Sequence, residues 1–150
     1  MMMFCVKENA MQRQASAVWN GSLKDGSGAL STESKTLDAT QYSFTARFEN
    51  GVGTNPEELI AAAHAGCFSM DLSSRLGKAG LGPERIDTNA TLTLEKVENG
   101  FAITAIVLEV KAKLQNPDQA KFDEAVDQAK KGCPVSKVLK ADISVRASLA

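Results

Sequence analysis

The sequence predicts an α+β fold, and three observations lead to this class. Apolar and polar residues alternate near both ends of the chain, as they do in half-buried strands. A long, largely apolar helical segment lies between these regions, and a shorter amphipathic helix precedes the last strand. The 150 residues, 43% of them hydrophobic and 23% charged, suit one globular domain. We therefore expect a single domain over residues 13–150, preceded by an N-terminal extension over residues 1–12.

Three short strands are predicted before the long helix. Ala15, Ala17 and Trp19 alternate with other positions and run into an Asn-Gly turn. Residues 29–34 and 42–48 have the pattern of two further strands, and a second Asn-Gly turn closes the later one. The N-terminal part of the chain should thus form a small sheet.

The long helix has the clearest sequence signals. Asn55 suits the N-cap, Pro56 suits the first helical position, and Glu58 lies where a capping box places an acid. Nearly every residue over 59–70 is apolar or small, which predicts a helix buried on most sides and open to close approach by another backbone. Glycines up to Gly80 end the helix.

A hairpin, two helices and a strand are predicted to complete the fold. Asn99-Gly100 is typical of a type I′ hairpin turn, and Gly132 should end an amphipathic helix just before Pro134 opens a short one. The predicted elements are strands at 88–97 and 101–114, helices at 118–131 and 134–139, and a last strand at 143–149.

Composition excludes several classes of protein. The formal net charge is −1 and no basic stripe is visible, which argues against a nucleic-acid partner. No segment reaches the roughly 20 apolar residues that cross a bilayer, so we expect no membrane partner and a cytoplasmic location. The three cysteines are an odd number, and their spacing matches no secreted disulfide framework. Cys5, in the expected extension, is assigned no role.

The other two cysteines differ in their local environments. Cys67 lies mid-helix among apolar neighbours, where burial raises a thiol pKa, so packing alone explains it. Cys133 follows Gly132 and precedes Pro134, at or next to a helix N-cap where unsatisfied N–H groups favour a thiolate. Local chemistry therefore predicts Cys133 as the more acidic thiol, although a cysteine that merely caps a turn stays an open alternative.

Activation of Cys67 would require a nearby cation, because Asp71, four residues later, opposes its ionisation. Arg47, in the strand predicted before the long helix, is the best candidate, although a single arginine is usually a surface charge. The other arginines lie near element ends or on exposed faces by pattern: Arg13, Arg75, Arg85 and Arg146. His64 could assist the thiol, but a partly buried histidine with a local hydrogen bond is favoured. A zinc site from His64, Cys67 and Cys133 lacks paired cysteine spacing.

Two cysteine-containing segments are similar to the signatures of one known family. They are residues 53–70, GTNPEELIAAAHAGCFSM, and residues 129–141, AKKGCPVSKVLKA. Both resemble, in this order, the cysteine motifs of the osmotically inducible protein C (OsmC) family, which is related to the organic hydroperoxide resistance proteins. Shorter likenesses at 31–34, 45–49 and 100–104 extend the resemblance from about Arg13 to the C-terminus. Val135 and His64 look more like the OsmC branch.

The resemblance implies an OsmC-like fold, with antiparallel sheets packed around a long buried central helix in an intertwined homodimer. It also implies a thiol peroxidase that reduces hydroperoxides, often organic ones, without a metal or organic cofactor, and that a dithiol reductant recycles. By motif, Cys67 corresponds to the peroxidatic cysteine and Cys133 to the resolving cysteine. Arg47 corresponds to the arginine that activates the thiolate, and Glu57 to the acid that holds this arginine.

Spacing constrains how these residues can meet. Glu57 and Cys67 are ten residues apart, which is about 15 Å along one helix, so they cannot touch within it. Either Arg47 bridges the gap, or two chains pack their long helices together so that Glu57 of one approaches the thiol of the other. The competing function is a non-catalytic binder of small apolar molecules with structural cysteines, and a metal-binding protein is third.

Overall fold

The computed structural model describes residues 10–150, and the chain divides into two units, Met1–Asn55 and Pro56–Ala150. Most of the extension expected over residues 1–12, with Cys5, lies outside the described residues. Of that segment, residues 10–12 are exposed. No helix in the described part of the chain is both long and apolar enough to cross a membrane.

The first unit contains a small antiparallel sheet. Its strands are β1 (Ala15–Asn20), β2 (Ser27–Thr32) and β3 (Thr40–Tyr42), in that spatial order. The first predicted strand is confirmed, and the second begins two residues earlier than expected. The Trp19 and Tyr42 rings lie 5.4 Å apart, centroid to centroid, over Gly28. A side chain at Gly28 would collide with both rings, so glycine at this position allows the two rings to pack against β2.

The strand predicted over residues 42–48 is wrong. Only its first residue belongs to a strand, and α1 (Phe44–Phe48) is a short helix that carries Arg47. Ser43 caps this helix, because its side chain accepts a hydrogen bond from the Ala46 N–H at 3.2 Å. Phe44 and Phe48 alternate with polar residues as in a strand, but they are also four apart, and their rings pack at 4.9 Å on one helix face.

The long helix of the second unit is confirmed as α2 (Pro56–Lys78). Acidic residues lie in its first turn and basic residues in its last, which suits the helix dipole. Gly80 adopts a positive φ of 76°, and the Leu81 N–H donates to the Leu76 carbonyl at 3.0 Å, so a glycine turn ends the helix.

Burial of α2 is limited to one stripe within the single chain. The buried residues recur every four positions: His64, Phe68, Leu72 and Leu76. A second, apolar face of small residues and one methionine is exposed instead: Ala62, Ala63, Gly66 and Met70. The burial on most sides that the sequence predicts is therefore not reached in one chain.

The second sheet is mixed, so the expectation of purely antiparallel sheets is wrong. Its strands are β4 (Pro83–Val97), β5 (Gly100–Leu114) and β6 (Asp142–Leu149). β4 and β5 pair antiparallel, whereas β6 runs parallel to β5 with Leu108 opposite Val145. The helical connection between β5 and β6 carries the chain back along β5. β6 can therefore begin again in the same direction as β5.

The hairpin between β4 and β5 is confirmed, but its turn is one residue earlier than predicted. Val97 pairs with Gly100, so Glu98 and Asn99 form the two-residue loop. Gly100 becomes the first residue of β5 with a φ of 122°, a conformation that favours glycine.

Two helices connect β5 to β6, as the sequence predicts. Asp118 caps α3 (Gln119–Gly132) by accepting from the Lys121 N–H at 3.1 Å, and α4 (Pro134–Val138) follows after Cys133. The apolar faces of α2, α3 and β5 meet in one core. Its buried residues are Phe68, Leu72, Leu76, Leu81, Ile106, Leu108, Val110, Ala112, Phe122, Ala125, Ala129 and Cys133.

Replacing Leu72 by alanine tests this core. Leu72 is 0% exposed, so Leu72→Ala should lower the free energy of unfolding by about 2–5 kcal/mol through lost burial and a cavity. The matched control is Leu23→Ala, at a side chain 64% exposed, which should change stability by less than about 0.5 kcal/mol. Urea unfolding measures both, and equal midpoints for the two variants would contradict the core assignment.

Candidate active site

Two thiols from distant parts of the second unit meet at one point. Cys67 lies in the middle of α2, Cys133 lies at the junction of α3 and α4, and their Sγ atoms are 3.0 Å apart. Both are free thiols within hydrogen-bond distance, so the S–H of one can donate to the sulfur of the other. A disulfide would need the sulfurs to approach by about 1 Å more.

The junction between α3 and α4 holds Cys133 by its backbone. The Cys133 N–H donates to the Ala129 carbonyl at 2.9 Å, and its carbonyl accepts from the Lys137 N–H at 3.1 Å. Cys133 therefore closes one helix and opens the next, with Pro134 at the first position of α4. The N-cap position predicted from the sequence is confirmed.

The pKa of Cys133 lies below its ordinary value. Burial raises the pKa, but the neighbouring Cys67 thiol, the backbone N–H groups of Ser136 and Val135, and the Ser136 hydroxyl together lower it by more. These groups stabilise negative charge on the sulfur at the open end of α4. The prediction that Cys133 is the more acidic thiol agrees with this direction.

The pKa of Cys67 lies above its ordinary value. Burial contributes most, followed by the hydrogen bond with Cys133, while the negative charge of Asp71 adds to both. The N–H of Val135 acts in the opposite direction. The prediction that Asp71 opposes the ionisation of Cys67 agrees with this direction.

Arg75 is a cation near the thiols that sequence reasoning did not select. Its Nε donates to Asp71 Oδ2 at 2.6 Å, one helical turn along α2. A Cβ added at Gly132 would collide with Arg75 Nη2, so the guanidinium lies against the residue before Cys133. The available signal was the four-residue spacing from Asp71 to Arg75, which typically forms an ion pair on a helix.

His64 is completely buried, and its contact is not local. Its Nε2 lies 2.6 Å from the Ser136 Oγ on α4, 72 positions later in the chain. Its Nδ1 has no hydrogen-bond partner among residues 10–150. Burial lowers the pKa of His64, so the imidazole is neutral near pH 7. The expected partial burial and local hydrogen bond are therefore both corrected.

Comparison with known proteins places this chain in a family. The sequence model described as OsmC-like protein matches residues 48–148. The chain belongs to the OsmC-like family. It is 50% identical over 135 residues to peroxiredoxin OsmC of Escherichia coli, covering 90% of this chain and 94% of that protein. It is 33% identical over 100 residues to organic hydroperoxide resistance protein-like 2 of Staphylococcus epidermidis, covering 65% and 68%.

Solved structures show the same mixed α+β, OsmC-like fold. An OsmC-like protein of unknown function from Vibrio cholerae superposes with a TM-score of 0.75 at 16% identity, covering 93% of this chain and all of that one. The organic hydroperoxide resistance protein OhrB of Bacillus subtilis gives a TM-score of 0.64 at 24% identity, covering 91% and 98%. The family predicted from the two cysteine motifs is thus confirmed.

The two remaining residues predicted from the OsmC motifs lie on separate elements. Arg47 is on α1 in the first unit, with its guanidinium carbon 5.2 Å from the Phe48 ring centroid. Glu57 is in the first turn of α2, ten positions before Cys67 in the same helix. Their roles at the thiol stay predictions. Among the described residues, no three His, Cys, Asp or Glu side chains are grouped to hold a metal ion.

Removing the Arg75 charge should raise the pKa of Cys67 further. In Arg75→Gln the Asp71 carboxylate loses its ion pair, and its uncompensated charge disfavours the Cys67 thiolate. Alkylation of Cys67 as a function of pH, followed by peptide mass spectrometry in a Cys133→Ser background, should have its midpoint at higher pH. Asp71→Asn should move the midpoint to lower pH.

The matched control is Lys131→Gln, which removes an equivalent ion pair on α3, where Lys131 Nζ lies 2.8 Å from Asp127 Oδ2. That pair is exposed, and it should leave the midpoint where it is. A midpoint that does not move in Arg75→Gln, or that moves equally in Lys131→Gln, would show that Arg75 does not offset the Asp71 charge.

Proposed function

We propose that this chain reduces organic hydroperoxides, and hydrogen peroxide as well, through a Cys67 sulfenic acid and a Cys67–Cys133 disulfide. It is a cysteine-based hydroperoxide reductase with an antioxidant role. The observation that carries the proposal is the 3.0 Å approach of two free thiols in a chain whose relatives are named for peroxide chemistry. A dithiol reductant, in the cytoplasm, would return the disulfide to thiols.

Access selects Cys67 as the first nucleophile, even though Cys133 is the more acidic thiol. Cys133 is 0% exposed, whereas Cys67 is only partly buried, so a peroxide from solvent reaches Cys67 first. When one of the two thiols is ionised, the sulfurs share the remaining proton, and transfer of that proton to Cys133 makes Cys67 the thiolate. A cation beside Cys67 would favour this form, and that is the role proposed for Arg47.

The reaction balances with the Cys67 thiolate, the Cys133 thiol, the peroxide and one proton from solvent. The Cys67 thiolate attacks one peroxide oxygen, the O–O bond breaks, and the alkoxide leaves with the proton held on Cys133. Cys67 is now a sulfenic acid and Cys133 a thiolate. The Cys133 sulfur attacks the Cys67 sulfur, the S–O bond breaks, and the departing hydroxide takes a proton from solvent. One alcohol, one water and one disulfide result.

The low pKa of Cys133 suits the second of these steps. A resolving thiol that is already ionised can attack the sulfenic acid before a second peroxide oxidises it irreversibly. The Cys67 thiol contributes most to this lowering of the Cys133 pKa, and the amide and hydroxyl groups of the first turn of α4 add to it. We therefore propose that the acidity of Cys133, which the sequence indicated, promotes its attack on the sulfenic acid and not the first attack on the peroxide.

We also propose that the active form is a homodimer in which two α2 helices pack together. The exposed face of α2 supports this, since Met70 is 77% exposed and its neighbours on that face are alanine and glycine. Gly66 is informative, because nothing among the described residues lies within 4 Å of a Cβ built there. A mid-helix glycine costs about 1 kcal/mol relative to alanine, and close approach of a second helix would explain it.

The proposed homodimer would also bring Glu57 and Arg47 to the Cys67 thiol. Glu57 lies too far along α2 to reach the thiol of its own helix, so a second α2 running in the opposite direction would bring Glu57 toward that thiol. We propose that Glu57 holds Arg47 so that its planar guanidinium donates to the Cys67 thiolate. Residues 13–150 would then act as one functional domain in each subunit.

Replacing the cysteines one at a time tests the proposed function. Cys67→Ser should abolish consumption of cumene hydroperoxide, because serine at this site does not form a sulfenic acid. Cys133→Ser should still reduce one equivalent and leave a Cys67 sulfenic acid that a dimedone probe labels. Peroxide consumption and peptide mass spectrometry measure both results.

A Cys5→Ser variant is the control, because Cys5 has no role in the proposed reaction, and it should turn over like the original protein. Unchanged peroxide consumption in Cys67→Ser would contradict the proposal. Absence of consumption in the unsubstituted protein, with binding of the peroxide retained, would instead support a non-catalytic binder.

A further inference from the structure

A second polar contact lies beside the thiol pair and joins the same two helices. His64 precedes Cys67 by three residues on α2, and Ser136 follows Cys133 by three residues on α4. The His64 Nε2 and the Ser136 Oγ are 2.6 Å apart, and the two sulfurs are 3.0 Å apart. Because residues three apart share a helix face, the histidine–serine contact and the thiol contact lie side by side between α2 and the start of α4.

The histidine–serine contact is costly to bury. His64 is 0% exposed and Ser136 is 7% exposed, and neither side chain gains from an apolar environment. An apolar pair of similar size could fill the same space without losing hydration. The Phe68 and Leu72 positions of the same stripe are filled in that way. A polar pair at this one position, next to the sulfurs, therefore suggests a role in the chemistry.

The neutral imidazole can bind Ser136 in two ways. If Nδ1 carries the proton, Nε2 accepts the Ser136 hydroxyl hydrogen, and the serine has none left for the sulfur. If Nε2 carries the proton, it donates to the Ser136 Oγ, and the hydroxyl hydrogen is free to point to Cys133. Only the second arrangement lets Ser136, three residues after Cys133 at the start of α4, donate to the sulfur. The Ser136 hydroxyl is also among the groups that lower the Cys133 pKa.

We propose that His64 and Ser136 are positioning residues for disulfide formation, with His64 Nε2–H orienting the Ser136 hydroxyl to donate to the Cys133 thiolate. The inference rests on the proposed peroxidase function. His64 acts only through Ser136, and it neither touches the peroxide nor gains or loses a proton. The step itself forms the S–S bond, breaks the S–O bond of the sulfenic acid and releases hydroxide, which takes a proton from solvent.

Other groups around Cys133 do not replace this hydroxyl. On α2 they are Cys67 and the Asp71–Arg75 pair, and at the end of α3 they are the last-turn lysines, Lys130 and Lys131. On α4, the basic residue of the last turn is Lys137. The buried residues of β5 are all apolar. Ser136 is thus the hydroxyl among the groups that stabilise the Cys133 thiolate.

Single-turnover kinetics separate this role from a structural one. In Ser136→Ala, disulfide formation should slow about tenfold, as expected for loss of a hydrogen bond to a charged group. Sulfenic acid formation should not slow, because a less acidic Cys133 keeps the shared proton and leaves Cys67 as the thiolate. The pH midpoint of disulfide formation should also move upward. His64→Leu should behave in the same way, and His64→Gln, which keeps a donor, should recover most of the rate.

Ser69→Ala is the matched control. The Ser69 hydroxyl lies on α2 two residues after Cys67, but it binds Thr88 Oγ1 at 2.7 Å and the Ala65 carbonyl at 2.8 Å. It should change neither the rate nor the pH midpoint of disulfide formation. An unchanged pH midpoint in Ser136→Ala would overturn the inference, as would a His64→Gln variant as slow as His64→Leu.

The wild-type protein distinguishes this failure from failure of the proposed function. If it consumes peroxide and forms the disulfide while Ser136→Ala matches it, only the positioning role is refuted. If the unsubstituted protein forms no sulfenic acid or disulfide, the peroxidase proposal itself fails.

Discussion

The approach of Cys67 to Cys133 is the contact on which the rest of the site depends. It exists because α2 packs its buried stripe against the core while α3 ends at the residue before Cys133. Gly132 lets Arg75 of α2 lie against the end of α3, since any side chain there would collide with the guanidinium. Pro134 then starts α4 at once and disfavours a helical backbone at Cys133, which has a ψ of 123°. A few residues at one helix junction thus determine the sulfur–sulfur distance.

Acidity and access are divided between the two thiols. Cys133 has the lower pKa but is closed to solvent, whereas Cys67 is partly exposed but has the higher pKa. In the account proposed here the division is useful, because the reachable thiol reacts first and the acidic thiol then resolves it. The arrangement requires the shared proton to move between sulfurs, which a 3.0 Å separation allows. It also explains why a further cation, Arg47, would matter at Cys67.

Much of the second unit could be predicted from the sequence because its signals are local. The N-terminal turn of α2, the end of α3 at Gly132 and the Gly-Cys-Pro junction each depend on a few adjacent residues. The direction of β6 could not be predicted in this way, since strand alternation does not distinguish parallel from antiparallel pairing. The α1 segment was mistaken for a strand because its aromatic residues fit both periods. The contacts of His64 with Ser136 and of Arg75 with Gly132 required the tertiary structure.

Coupling of the two thiols within one chain is the central claim, and peptide mapping without reductant tests it most directly. The protein, in a Cys5→Ser background, is treated with one equivalent of an alkyl hydroperoxide, alkylated and digested. We expect one linked pair of peptides containing Cys67 and Cys133, with both sulfurs from the same chain after separation under denaturing conditions. Cys67 oxidised to sulfinic acid beside an alkylated, free Cys133, or a disulfide that joins two chains, would contradict it.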